Sequence, residues 1–163
     1  MELLGEFKTS VKRALEEIDP NWESYEGLVI CGTHAPINVD ELISRISEAR
    51  KSSTPFLGIC HGHQLYAIEY ARTVKGIKDA TSEEFGRGTF VVKKRPELKV
   101  GLHDGETYWN NYEVVIDLEW PDFFITTQSH PEYQSSIDRP HPLLVQFLEI
   151  CKNKNGNVVG LQP

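Results

Sequence analysis

One short stretch constrains the fold more than any other: Gly58-Ile59-Cys60-His61-Gly62-His63-Gln64. Before it lies an apolar run, Phe56-Leu57-Gly58-Ile59-Cys60, of the kind that forms a strand buried on both faces. After it, Gln64 to Val74 reads as a helix that is apolar on most of its surface, through Leu65, Ala67, Ile68, Ala71 and Val74. A strand must therefore turn sharply into a helix at Cys60. The pattern Gly-x-Cys-x-Gly in that context is a nucleophile elbow, with sulfur in place of a serine oxygen. A tight turn pushes the thiol out of the sheet, and the flanking glycines remove Cβ clashes. The helix N-terminus, with its unpaired N–H groups and dipole, then favours a thiolate.

The remaining pattern predicts an α/β fold. Thr9 to Ile18 reads as a helix with Val11, Ala14, Leu15 and Ile18 on one face, ended by Asp19-Pro20-Asn21. Leu28 to Cys31 is a second buried strand, followed by the turn Gly32-Thr33-His34-Ala35-Pro36. Asp40 to Lys51 returns as an amphipathic helix, with Leu42, Ile43, Ile46 and Ala49 at helical spacing. This alternation predicts a three-layer, mostly parallel central sheet with helices on both faces. In the second half, Gly88–Val92 and Tyr112–Ile116 read as strands joined by polar, Gly-containing loops, and Phe123–Thr127 as a strand running into Gln128-Ser129-His130-Pro131-Glu132. A last helix covers roughly Pro142 to Lys152, with 153–163 expected as a loose polar tail. With 163 residues and no repeat or linker, residues 1–163 are expected to form a single domain.

Charge narrows the function. Seventeen Lys and Arg against 24 Asp and Glu leave a net charge of −7, which argues against a nucleic-acid surface. No apolar run approaches the roughly 18 residues of a membrane span, and no secretory signal is visible. Three cysteines, Cys31, Cys60 and Cys151, at unrelated spacings are not a disulfide framework, so a reducing cytoplasm is the expected setting.

A thiolate needs a proton shuttle for its leaving group, and something must hold that shuttle. His130 and Glu132 supply both: the imidazole acts as base and then acid, and the carboxylate orients it.

With these residues in place the sequence resembles the class I, triad-type glutamine amidotransferases, most of all the glutaminase domain of CTP synthase. The likeness runs through Pro55 to Gln64, Ile68-Glu69-Tyr70-Ala71-Arg72, Gly76 to Phe85, Gln128 to Tyr133, and Arg139-Pro140-His141-Pro142-Leu143. It implies a flavodoxin-like fold and a thiolate that attacks the side-chain amide of glutamine, releases ammonia, and leaves a γ-glutamyl thioester for water to cleave. The roles it implies are Cys60 as nucleophile, His130 as acid/base and Glu132 as its orienter. The backbone N–H groups of His61 and of the Gly32-Thr33 turn would form the oxyanion hole. Gln64 and Glu84 would hold the substrate, Glu84 at the α-ammonium group. No cofactor is implied, and the ammonia would pass to a separate synthetase.

The pattern also departs from the family. Thr33 stands where a glycine is usual, and Asn111 takes the place of an arginine that serves the glutamine α-carboxylate. The stretch between Phe85 and Tyr112 is shortened. A stand-alone hydrolase of another amide or γ-glutamyl compound, or a catalytically silent binding relative, are the alternatives. Cys31, His34, Cys60, His61 and His63 have zinc-like chemistry on neighbouring turns, but a metal on Cys60 would occupy the nucleophile, so no metal site is expected. Cys31 and Cys151 read as structural. Trp109, beside Asn110, is the tryptophan expected near the pocket.

Overall fold

Strands of three and four residues suffice here because the inner ones are buried between helices. β1 (Glu2–Leu4), β2 (Leu28–Ile30), β3 (Phe56–Ile59) and β7 (Phe124–Thr127) form one parallel sheet in the order β1-β2-β3-β7. The computed structural model describes residues 1–160, with the side chains of 156–160 left aside. Helices cover both faces of the sheet. α1 (Lys8–Ile18) and α4 (Pro142–Gly160) pack together on one side, α2 (Val39–Ser52) and α3 (His61–Thr73) on the other.

Strand alternation divides the core between these two layers. Leu28, Ile30 and Phe56 point toward α2 and α3, joining Ile43, Ile46, Leu65 and Ile68. Val29, Leu57, Ile59 and Ile125 point the other way, joining Val11, Leu15, Leu144 and Phe147 of α1 and α4. The apolar runs are continuous because both strand faces are buried, as the sequence predicts for a parallel sheet. A charged pair ties the first helix layer together: Arg50 of α2 meets the buried Glu69 of α3 at 2.6 Å.

The second half differs from the sequence expectation. Residues 89–114 are not two strands with a loop between them but a long hairpin, β5 (Thr89–His103) and β6 (Glu106–Val114). β4 (Ala80–Ser82) pairs with β5 to complete a separate three-stranded sheet. The hairpin closes through Asp104 and Gly105, at φ 52° and 78°, between the paired His103 and Glu106. Two consecutive left-handed residues give the tight turn that matches strand twist. Pro96 falls where the β5–β6 register shifts, between Lys94 and Lys99, so its missing N–H breaks no ladder.

The last helix also runs further than expected, through residues 153–160. Lys154 anchors it by donating to the Glu26 carboxylate at 2.9 Å and to the Ser53 carbonyl at 3.0 Å. Residues 161–163 of the expected tail lie outside the described residues. Among the described residues, no helix is long and apolar enough to cross a membrane.

Candidate active site

All the candidate chemistry collects at the carboxyl ends of β2, β3 and β7, where parallel sheets commonly present ligands. Cys60 follows β3 directly and has φ 53°, a left-handed conformation that costs a non-glycine residue energy. Its N–H donates to the Thr127 carbonyl at 2.8 Å, which pins the turn to the neighbouring strand. Gly62 is required by packing: a Cβ there would run into the backbone carbonyl oxygen of Ile30. The first turn of α3 therefore lies directly against β2, with Cys60 at its start.

His130 emerges just beyond β7 and is 1% exposed, while Glu132, in a short 3-10 turn, is fully buried. His130 Nδ1 and Glu132 Oε1 are 2.6 Å apart. Burial opposes a charge on the imidazole. The hydrogen bonds and charges of Cys60 and Glu132 outweigh it and push the His130 pKa up to about 9. Nδ1 is taken by Glu132, while Nε2 is buried and has no hydrogen-bond partner. Gly32 leaves room for the imidazole beside Cys60, since a Cβ on it would sit 2.7 Å from His130 Cε1 and 3.6 Å from Cys60 Cβ. The arrangement sets an imidazole with one free nitrogen between a thiol and a carboxyl group.

Above the thiol opens a cleft of about 280 Å³ lined by Thr33, Cys60, His61, Gln64, Glu84 and Asn111, together with His34, Leu98, Val100 and Trp109–Tyr112. The structure thus gathers the six expected residues Thr33, Cys60, His61, Gln64, Glu84 and Asn111 around one space. His130, Glu132 and Gly32 stand behind its floor. Among the described residues, nothing accepts a hydrogen bond from the backbone N–H of Thr33 or of His61. The Thr33 hydroxyl instead donates to the Glu6 carboxylate at 3.0 Å. Glu84 is exposed at the cleft, and partial desolvation there raises its pKa.

Two polar side chains, Gln128 and Asn110, are given no role by the sequence. Gln128 donates from Nε2 to Cys60 Sγ at 3.5 Å, and its Oε1 accepts from Gln64 Nε2 at 3.2 Å. Gln64 Nε2 also donates to Asn110 Oδ1 at 3.1 Å. Asn110 is buried and bonds the backbone of Tyr112 with both ends of its amide. Asn111, one step along β6, is exposed at the rim. No Arg or Lys is among the residues that line the cleft.

The neighbouring histidines divide. His61 lines the cleft, buried and with Nε2 unpartnered, and desolvation lowers its pKa to about 4. His63 points instead at Thr126 of β7, with Nδ1 2.9 Å from Oγ1. Cys31 and Cys151 are buried in the layer under α1 and α4, where desolvation raises both thiols. Among the described residues, no three His, Cys, Asp or Glu side chains converge to hold a metal.

A parallel sheet covered by helices on both faces, with a strained cysteine turn beside a buried His–Glu pair, places the chain among the α/β folds. The comparisons give the family: residues 5–120 match the glutamine amidotransferase class-I model, and the chain belongs to that family. A CTP synthase from Methanoculleus marisnigri is 32% identical over 82% of this chain and 35% of its own length. One from Encephalitozoon cuniculi is 31% identical over 76% of this chain and 33% of its own length. The chain spans about a third of the length of the curated relatives it matches. Among solved structures, the Trypanosoma brucei CTPS glutaminase domain with bound acivicin superposes with a TM-score of 0.71. It covers 93% of this chain and 92% of its own, at 18% identity, a likeness of fold.

Proposed function

We propose that residues 1–163 act as one glutaminase domain that hydrolyses the side-chain amide of glutamine to glutamate and ammonia. The observation that carries this reading is the buried His130–Glu132 pair standing beside Cys60, whose thiol lines the cleft. The Cys60 thiolate attacks the amide carbon, and the developing oxyanion takes the free N–H groups of His61 and Thr33. The His130 imidazolium gives its proton to the departing nitrogen as the C–N bond breaks, leaving a thioester. His130 then removes a proton from water, the new C–O bond forms, and the C–S bond breaks. Glu132 holds the imidazole and offsets its charge. Gln64 and Glu84 hold the glutamyl part, with the Glu84 carboxylate at its α-ammonium group. By analogy with the CTP synthases it resembles, the ammonia passes to a synthetase, in a cytoplasmic setting.

A second reading, a stand-alone hydrolase of another γ-glutamyl amide, is favoured by the cleft's lining, which offers no cation to the α-carboxylate. Ammonia release from glutamine by the purified protein and by Cys60→Ala tests the first reading. Release that vanishes in the variant supports it. Release equal in both overturns it, and silence on glutamine with turnover of another amide moves the assignment to the second.

A further inference from the structure

Beside the main cleft, on the side of the acid/base, lies a second cavity of about 190 Å³ lined by Phe7, His34, Trp109, His130 and Tyr133. The two cavities share His34 and Trp109 as a common wall. Its rings form an aromatic enclosure. Phe7 meets His34 edge-on with centroids 4.9 Å apart, His34 meets Trp109 at 6.2 Å, and Tyr133 lies 6.4 Å from Trp109 and 5.4 Å from His130. Glutamine has no use for such a space, because its leaving group is ammonia.

The position of His130 says which part of a substrate would enter it. The group that protonates the leaving nitrogen must face that nitrogen, so any substituent on the nitrogen projects toward His130 and away from the acyl end at Gln64 and Glu84. We propose that this ring-lined space is a leaving-group pocket, and that the site also hydrolyses γ-glutamyl amides whose nitrogen carries a small arylmethyl group. The proposal rests on the Cys60 thioester reading above. Its chemistry balances in the same way. The Cys60 sulfur bonds to the γ-carbon, the C–N bond breaks, and His130 protonates the nitrogen, which leaves as a neutral arylmethyl amine. Water then cleaves the thioester to glutamate. A cavity of roughly 150 Å³ with apolar walls is enough to hold benzene, so a single ring fits this one. Edge-on and offset contacts with the surrounding rings are the geometry that aromatic groups prefer.

The test compares three substrates: glutamine, γ-glutamyl methylamide and γ-glutamyl benzylamide. Methylamide and benzylamide both substitute the nitrogen, and the benzylamide alone brings a ring. The expected result is a kcat/KM for the benzylamide about tenfold or more above the methylamide, the worth of burying one ring. In Phe7→Ala and Tyr133→Ala that ratio falls toward one. A ratio of two kcat/KM values is independent of how much protein is folded, so a partly unfolded variant still reports. Turnover of glutamine with no preference for the benzylamide overturns the pocket and leaves the glutaminase reading intact. A preference that both variants retain also overturns it. Benzylamide turnover without glutamine turnover supports the pocket and overturns the glutaminase reading, and silence on all three substrates overturns both.

Discussion

The two sheets of this protein do different work. The four-stranded parallel sheet is sealed between helix layers and carries the groups proposed to react: Cys60, His130 and Glu132 are each at most 6% exposed. The β4-β5-β6 sheet is largely open to solvent, with Leu98 63% and Leu102 69% exposed, yet it supplies one wall of the cleft from Leu98 to Tyr112. Chemistry that depends on low dielectric and fixed geometry sits where packing is densest. The wall that the ribbon adds to the cleft stands on an element whose sequence can change without unfolding the core. Asn111, where the sequence departs from the expected pattern, lies on this ribbon at the rim.

Substitutions in the two sheets should therefore fail in different ways. Cys60→Ala should remove turnover outright, a fall of about 10⁴-fold or more in kcat, with the folded protein retained by circular dichroism. Glu132→Gln should cost about 10²- to 10⁴-fold in kcat. It should also move the alkaline limb of the pH–rate profile. With Glu132 charged, the His130 imidazolium persists until the pH rises through about 9 and the acid is lost above it. Without that charge, the limb should shift to lower pH. The stability linked to this raised pKa is present in full below the ordinary value of 6.5 and is lost as pH rises through about 9. An alkaline limb that stays in place in Glu132→Gln would remove Glu132 from the proposed mechanism.

In the sealed sheet, Gly62→Ala should destabilise by about 3 kcal/mol in urea unfolding, because its Cβ meets rigid backbone at Ile30. Leu102→Ser on the exposed ribbon should stay within about 0.5 kcal/mol. Equal costs at the two sites would break the contrast. Asn110→Ala should give the smallest functional effect, a rise of about tenfold in KM with a lesser change in kcat, since it frees Gln64 while leaving the thiol in place. A change confined to kcat would place Asn110 with the chemistry instead.

Apart from its edge strand β1, which the sequence pattern does not mark, the sealed sheet is also the part that the sequence announces. Continuous apolar strands and amphipathic helices are written in residue type, and the elbow at Cys60 is written in its two glycines. The ribbon is legible only in part. Its turn carries an Asp104-Gly105 pair, the strongest short hairpin signal, but the strands around it are polar and solvated, so no apolar alternation frames the turn. Asn110 illustrates what remains hidden. On a strand, a step of one residue reverses the face, and the bulge beside Pro96 sets which face Asn110 and Asn111 take. Type and spacing alone favour neither. Gln128 was hidden for another reason: it reaches Cys60 through the β3–β7 pairing, a contact between residues 68 apart in sequence.

Among the bonds that join the two regions, two meet at Thr107. The His130 backbone N–H donates to the Thr107 carbonyl, at the start of β6, at 2.6 Å, and Gln134 Nε2 adds a bond to the Thr107 hydroxyl at 2.6 Å. The ribbon is thus latched to the backbone of the residue proposed as proton carrier. Swinging it clear of the cleft would take away the acceptor that fixes that residue's own peptide unit, so on the proposed mechanism seating this wall and arming the reaction are one event.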